Sequence, residues 1–100
     1  MSEDMAEFKA IVMKASDNVA TVVEIIEPDT DAILEIEGQR VTVRVIERIP
    51  FGHKFATRDI GKGEFVLKYG EPMGVATMNI KAGCHVHVHN VESSRGRGDR

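Results

Sequence analysis

A single, mainly β domain with one short helix is the fold this sequence predicts, and three observations carry it. The chain has 100 residues, 42% of them apolar, which allows one modest core and no second independent one. The stretch "AILEIEGQRVTVRVIERI" reads as a hairpin: Ile33, Ile36, Val41, Val43 and Val45 are strand formers, and Glu37-Gly38-Gln39 makes the turn. An offset of twenty residues then superposes "DIGKGEFVLKYG" from Asp59 on "NIKAGCHVHVHN" from Asn79, aligning Ile60 with Ile80, Gly63 with Gly83 and Val66 with Val86. Each unit is a glycine-closed turn followed by a strand, so the last third is two related β units in one compact domain.

The remaining elements follow in order. Residues 1–7 are acidic and are expected to be disordered. "FKAIVMK", 8–14, is a strand candidate. Ser16 or Asp17 can cap a helix over 17–26, where Val19, Val22, Val23 and Ile26 recur at helical spacing and Glu27-Pro28-Asp29 ends the run. The β-branched residues weigh against that helix, while the cap and the spacing favour it. "PFGHKFATRDI", 50–60, breaks the alternation and reads as an irregular loop or a single helical turn. The domain runs over 8–92, and the Gly-, Ser- and Arg-rich segment 93–100 is a flexible basic tail.

Composition narrows the function. The formal net charge is -3, and the tail carries +2 of it, so the rest is acidic and lacks the basic face of a nucleic-acid binder. No stretch approaches the length of a membrane span, and the opening residues do not resemble a signal peptide. Cys84 is the lone cysteine, which suits a reducing cytoplasm and reads as a small buried apolar residue. A domain this small gains from a partner chain, and a homo-oligomer is one form that partnership can take. "RGRGD" is a weak match to an adhesion motif.

The chemistry concentrates in "GCHVHVHNVE". His85, His87 and His89 fall on every second residue, so an extended segment puts them on one face and Val86 and Val88 on the other, toward the core. Neutral imidazole ligates zinc, iron and nickel. On a straight strand, neighbours on one face stand roughly 6.6 Å apart, so at most two of the three can meet one ion. The other reading is acid–base or anion-binding chemistry, because imidazole titrates near neutrality. His53-Lys54 adds an imidazole and a cation, and Lys68-Tyr69 adds a cation and a phenol; together they suit an acidic, oxygen-rich substrate. The fold is expected to bring His53 and Lys54 to the histidine face.

Three segments, "DNVATVV" from Asp17, "GHKFATRDIGKGEFVLKYGEPMGVA" from Gly52 and "IKAGCHVHVHN" from Ile80, resemble the small SAF domain of the altronate/galactarate dehydratase family. The resemblance covers about residues 8–92 and implies a β-clip fold related to type III antifreeze proteins. The small subunit of sulfolactate sulfo-lyase is similar too. These enzymes eliminate water or sulfite from a hydroxy acid after removing the proton next to its carboxylate. The resemblance implies a divalent metal, typically iron, held mainly by a much larger domain or subunit. With the chain ending at Arg100, a separately encoded large subunit is expected, or the chain is a segment of a longer protein; alone it is expected to be inactive. The residues expected to be catalytic are His53, His85, His87 and His89. Those expected to bind substrate are Lys54, Lys68, Tyr69 and Asn90, and no metal ligand is assigned within this chain. A free-standing sugar-acid or metal-binding module is the competing reading. An ice-binding protein is disfavoured by the imidazole row and the charged surface.

Overall fold

The structure, a computed structural model, describes residues 10–12 and 14–93. The expected disordered start, most of the basic tail, and Phe8, Lys9 and Met13 of the first strand candidate lie outside the described residues. Among the described residues, nine short strands form three antiparallel sheets. The first sheet has the order β1 (Ala10–Ile11), β2 (Val19–Val22), β5 (Lys54–Ala56), β8 (His85–Val86). The hairpin pairs β3 (Thr30–Ile36) with β4 (Gln39–Val45). The third sheet has the order β6 (Phe65–Lys68), β7 (Glu71–Ala76), β9 (Val91–Ser93), so Ser93 closes a strand instead of opening the tail.

No helix occurs among the described residues, and the helix expected over 17–26 is strand β2. Asp17 does not cap a helix. Its carboxylate is buried and accepts from the backbone amides of Gly70 (2.8 Å), Tyr69 (3.0 Å) and Lys14 (3.3 Å). The neighbouring Asn18 is also buried and bridges the Leu67 amide and the Phe65 carbonyl. The burial pattern agrees with a strand covered on both faces. Val19, Ala20 and Val22 are all buried, while Val23, which belongs to the helical stripe, is exposed.

The hairpin forms where it was expected, with a two-residue turn. Ile36 pairs with Gln39, and Glu37 and Gly38 take φ of 49° and 84°, the double left-handed conformation of a tight hairpin. Ala32, Leu34, Val43 and Val45 face the core, and Asp31 pairs with Arg44 outside at 3.1 Å.

The segment expected to be an irregular loop supplies a central strand. After a turn closed by the His53 amide on the Pro50 carbonyl, β5 runs between β2 and β8. Pro50 and Gly52 mask this strand in the sequence, since both are turn residues. Residues directly opposite in an antiparallel pair share a face. Ala20 and Phe55 pair and lie in one core cluster, whereas Val19 and Ala56 pair and lie in the other, with Val86. The first sheet is thus sandwiched between two small cores, which explains why so short a strand is so fully buried.

The internal repeat is visible as reciprocal bonding. Ile60 and Ile80 exchange both backbone hydrogen bonds, each 2.8 Å. The Asp59 carboxylate accepts from the Ala82 amide, and the Asn79 side chain accepts from the Lys62 amide, each at 2.9 Å. Gly63 donates to Ala76, and Gly83 to Ala56. Each of these pairs maps onto its counterpart under the twenty-residue offset, so the two units face each other about a local pseudo-twofold. Gly83 is required twice over: its φ is 88°, and a Cβ there would run into the Arg44 carbonyl. This close approach anchors the end of the hairpin directly beneath the histidine segment.

Candidate functional site: a cluster of four imidazoles

The histidine strand is extended for only two residues. β8 ends at Val86, and residues 87–90 turn back, with the Asn90 amide donating to the His87 carbonyl at 3.1 Å. The turn has two consequences. Val86 stays in the core at 1% exposure, but Val88, expected on the same buried face, is 82% exposed at the tip. The imidazoles also draw together instead of spreading along a ruler.

His85, opposite Phe55 on β8, sits at the centre of the group, with ring contacts to the other three, and His53 enters from the turn before β5. His53 Nδ1 and His85 Nε2 are 2.8 Å apart, within hydrogen-bond distance. The His53 ring stacks on His87 with centroids 4.1 Å apart and planes 17° apart, and on His85 at 5.0 Å and 25°. His89 joins at the rim, 5.2 Å from His85. One ligand nitrogen from each of His53, His85 and His87 lies within 4.8 Å of the others. The two-histidine limit assumed a straight strand; the turn and His53 bring three together, a donor set that fits a borderline divalent ion.

Two residues hold this arrangement. Asn90 is buried, its Oδ1 accepting from the His87 amide (3.0 Å) and its Nδ2 donating to the His85 carbonyl (2.8 Å). Asn90, expected to bind substrate, has both ends of its amide engaged on the backbone of the histidine segment. Glu47, which the sequence reading missed, accepts from the His85 amide at 2.8 Å. Asn18 makes the same pair of bonds to Phe65 and Leu67, the counterparts of His85 and His87 in the other unit. Asn18→Ala and Asn90→Ala are therefore expected to lose similar stability in urea unfolding, about 2–3 kcal/mol each, since each strands two backbone groups. Only Asn90→Ala is expected to alter the imidazole NMR titrations.

The electrostatics favour the neutral forms of His85 and His87. Desolvation and the neighbouring His53, His89 and His87 charges hold His85 below the usual histidine range, against a smaller opposing pull from Glu47. Desolvation, then His53, Lys54 and His89, does the same for His87. Desolvation and Lys68 lower the Lys54 ammonium. Between the lowered folded values and the unfolded value near 6.5, the unfolded chain binds more protons, so stability rises with pH there. The melting temperature is expected to hold above about pH 6.5 and to fall as pH drops through the lowered values, before most carboxylates titrate. Replacing His85 and His87 together with Gln should flatten that step.

Lys54 points to the opposite face of β5 from His53, beside its pair partner Val86. It still meets the cluster, because it lines a cleft of ≈ 250 Å³ with Met73, His87, Val88, Val91 and Ser93. Lys68 and Tyr69 line a different cleft with Ile11, Asp17, Val19 and Thr21. Thr21, in the lining of that second cleft, pairs with Lys54 across β2 and β5. Lys68 Nζ stands 4.8 Å from the centre of the Tyr69 ring. A more voluminous cleft, ≈ 610 Å³ around Phe65 and Val75, has no imidazole in its lining, whereas the smaller one has His87. Cys84 is half-buried against the second core, and burial raises its thiol.

Among the described residues, an all-β domain thus gathers four imidazoles, with a desolvated lysine in the cleft at His87. The chain belongs to the altronate/galactarate dehydratase SAF domain family, whose sequence profile matches residues 8–94. It is 42% identical over 84 residues to the altronate dehydratase of Escherichia coli (strain K12), a match that covers 84% of this chain and 16% of that protein. It is 42% identical over 67 residues to the (2R)-sulfolactate sulfo-lyase subunit alpha of Chromohalobacter salexigens, covering 67% of this chain and 64% of that subunit. A second such subunit alpha, from Paracoccus pantotrophus, is 40% identical over 47 residues, 47% of this chain and 70% of that subunit. The chain thus spans less than two thirds of the first two relatives. These relatives are lyases, and no helix among the described residues is long and apolar enough to cross a membrane.

Proposed function

We propose that this chain is the small component of a hydroxy-acid lyase, eliminating water from a sugar acid together with a separate large catalytic subunit in the cytoplasm. The observation that carries this reading is the four-imidazole cluster in a domain of this family. In the proposed complex the histidine face borders the shared active site. Lys54 and, across the neighbouring cleft, Lys68 with Tyr69 receive the acidic and hydroxyl groups of the substrate. A neutral imidazole, His87 or His89, takes the proton from the carbon next to the carboxylate. The electron pair left behind delocalises into the carboxylate and then forms the carbon–carbon double bond as the neighbouring hydroxyl departs. A second imidazole, in its protonated form, gives that hydroxyl a proton so that it leaves as water. The stacked arrangement lets one histidine accept and another donate, with His53 and His85 passing a proton across their 2.8 Å contact. The resemblance implies a divalent metal, typically iron, held mainly by the large subunit; when bound it supplies positive charge beside the substrate carboxylate.

The likeness to sulfolactate sulfo-lyase subunit alpha favours one alternative, in which sulfite leaves in place of water. Sulfite departs as a stable anion, so that route needs the base but not the acid. Co-expression of the chain with a candidate large subunit, followed by assay on altronate, galactarate and sulfolactate, tests both. Turnover by the complex and not by either part is expected. Two chains that purify separately, with no turnover on mixing, would overturn the proposal.

A further inference from the structure

We propose that His53, His85 and His87 form a three-imidazole site for one borderline divalent metal ion, such as zinc, cobalt, nickel or ferrous iron, that this chain binds without the large subunit. The inference rests on the reading of the histidine face as the chemical side of the domain, and it adds that the face carries its own metal.

The geometry is that of an incomplete shell. An ion at about 2.1 Å from each of three nitrogens sets those nitrogens roughly 3–4 Å apart. Here all three lie within 4.8 Å of one another, and the His53–His85 pair is already at 2.8 Å. The rings are within 25° of parallel, so their planes must turn for the three nitrogens to face one ion. Closure needs rotation about the side-chain bonds, with the stack and the His53–His85 contact exchanged for three metal–nitrogen bonds. Asn90 fixes His85 and His87, Glu47 fixes His85 from the other side, and the Pro50–His53 turn fixes His53. The ligands come from two segments about thirty residues apart, which makes the site dependent on the fold.

Three protein nitrogens leave a fourth position, the arrangement of a metal site that takes a water or a substrate oxygen. His87 lines the cleft that holds Lys54, so that position opens where an acidic ligand would enter. A set of neutral nitrogens discriminates by softness: imidazole suits zinc, iron, nickel and cobalt, whereas magnesium and calcium prefer oxygen. His89 lies outside the set; while the ion is bound it is the imidazole left for proton transfer, and proton exchange between His53 and His85 or proton abstraction by His87 belongs to the metal-free chain.

The test is a titration of the full chain alone with cobalt(II), read by its visible d–d bands. One equivalent is expected to give the intense spectrum of a four- or five-coordinate ion, unchanged by a hundredfold excess of magnesium. His89→Ala is expected to reproduce it. His53→Ala, His85→Ala and His87→Ala are each expected to weaken binding at least tenfold. Since losing His53 removes packing as well as a ligand, His53→Gln, which keeps polarity and most of the volume, is expected to show the same loss with an intact thermal melt. A spectrum indistinguishable from aqueous cobalt, displacement by magnesium, or wild-type binding by His53→Gln would overturn the proposal. A chain that binds no cobalt leaves the lyase reading standing, because that reading is decided by turnover of the assembled complex.

Discussion

Val86→Asp is expected to prevent folding, whereas Val88→Asp, two residues on, is expected to leave stability within about 0.5 kcal/mol of the unsubstituted chain. Strict alternation makes these valines equivalent, and the turn at 87–90 separates them. Val86 is 1% exposed, pairs across to Lys54 and packs in the second core with Ile60, Val66 and Ile80. A carboxylate there loses water among Ile60, Val66 and Ile80 and has only the already desolvated Lys54 ammonium opposite it, a net cost of several kcal/mol in a domain whose whole stability is about 5–15 kcal/mol. Val88 is 82% exposed, so an aspartate there stays hydrated. Circular dichroism and urea unfolding of the two variants measure the contrast. Equal losses would mean that the segment is extended past Val86.

Val88 nevertheless lines the cleft at His87, so its aspartate variant is expected to impair the complex without unfolding the chain.

The second large effect concerns turnover. Replacing His87 or His89 with Ala should leave the domain folded, since neither ring lies in either core. In the reconstituted complex each replacement should cut kcat by about 10²–10⁴-fold, the usual cost of removing an acid–base group. The loss should fall on kcat more than on KM if the ring acts on the moving proton, and on KM alone if it only holds the substrate.

Much of this was legible in the sequence because it is local. The hairpin declares itself through alternation around Glu37-Gly38, whereas the period of two in the histidines holds only as far as Val86, where the turn at 87–90 begins. The repeat was legible for a different reason: two copies of one unit meet about a pseudo-twofold, so Ile60 and Ile80 are equivalent in sequence and bonded in space. What escaped is long-range. Asp17 looks like a helix cap because its most visible potential partners are the next few amides, yet it bonds to Tyr69 and Gly70, fifty residues away. β5 is three residues long and framed by turn formers, so its central place comes from the strands on either side. Glu47 sits in the exposed end of a hairpin with no local mark of its contact to His85. Asn90 stood out only as a polar neighbour of the histidines, and its role as a clamp emerges from its match with Asn18.

The most direct measurement of the central claim compares two purified complexes, one built with this chain and one with its His53→Ala, His87→Ala double variant. Both are assayed on the acid that the first complex consumes. The account predicts that both complexes assemble, because the substituted rings lie outside the cores, and that product forms at a normal rate only in the first. A double-variant complex that turns over like the unsubstituted one would contradict it, and would make the imidazole cluster a feature of packing instead of chemistry.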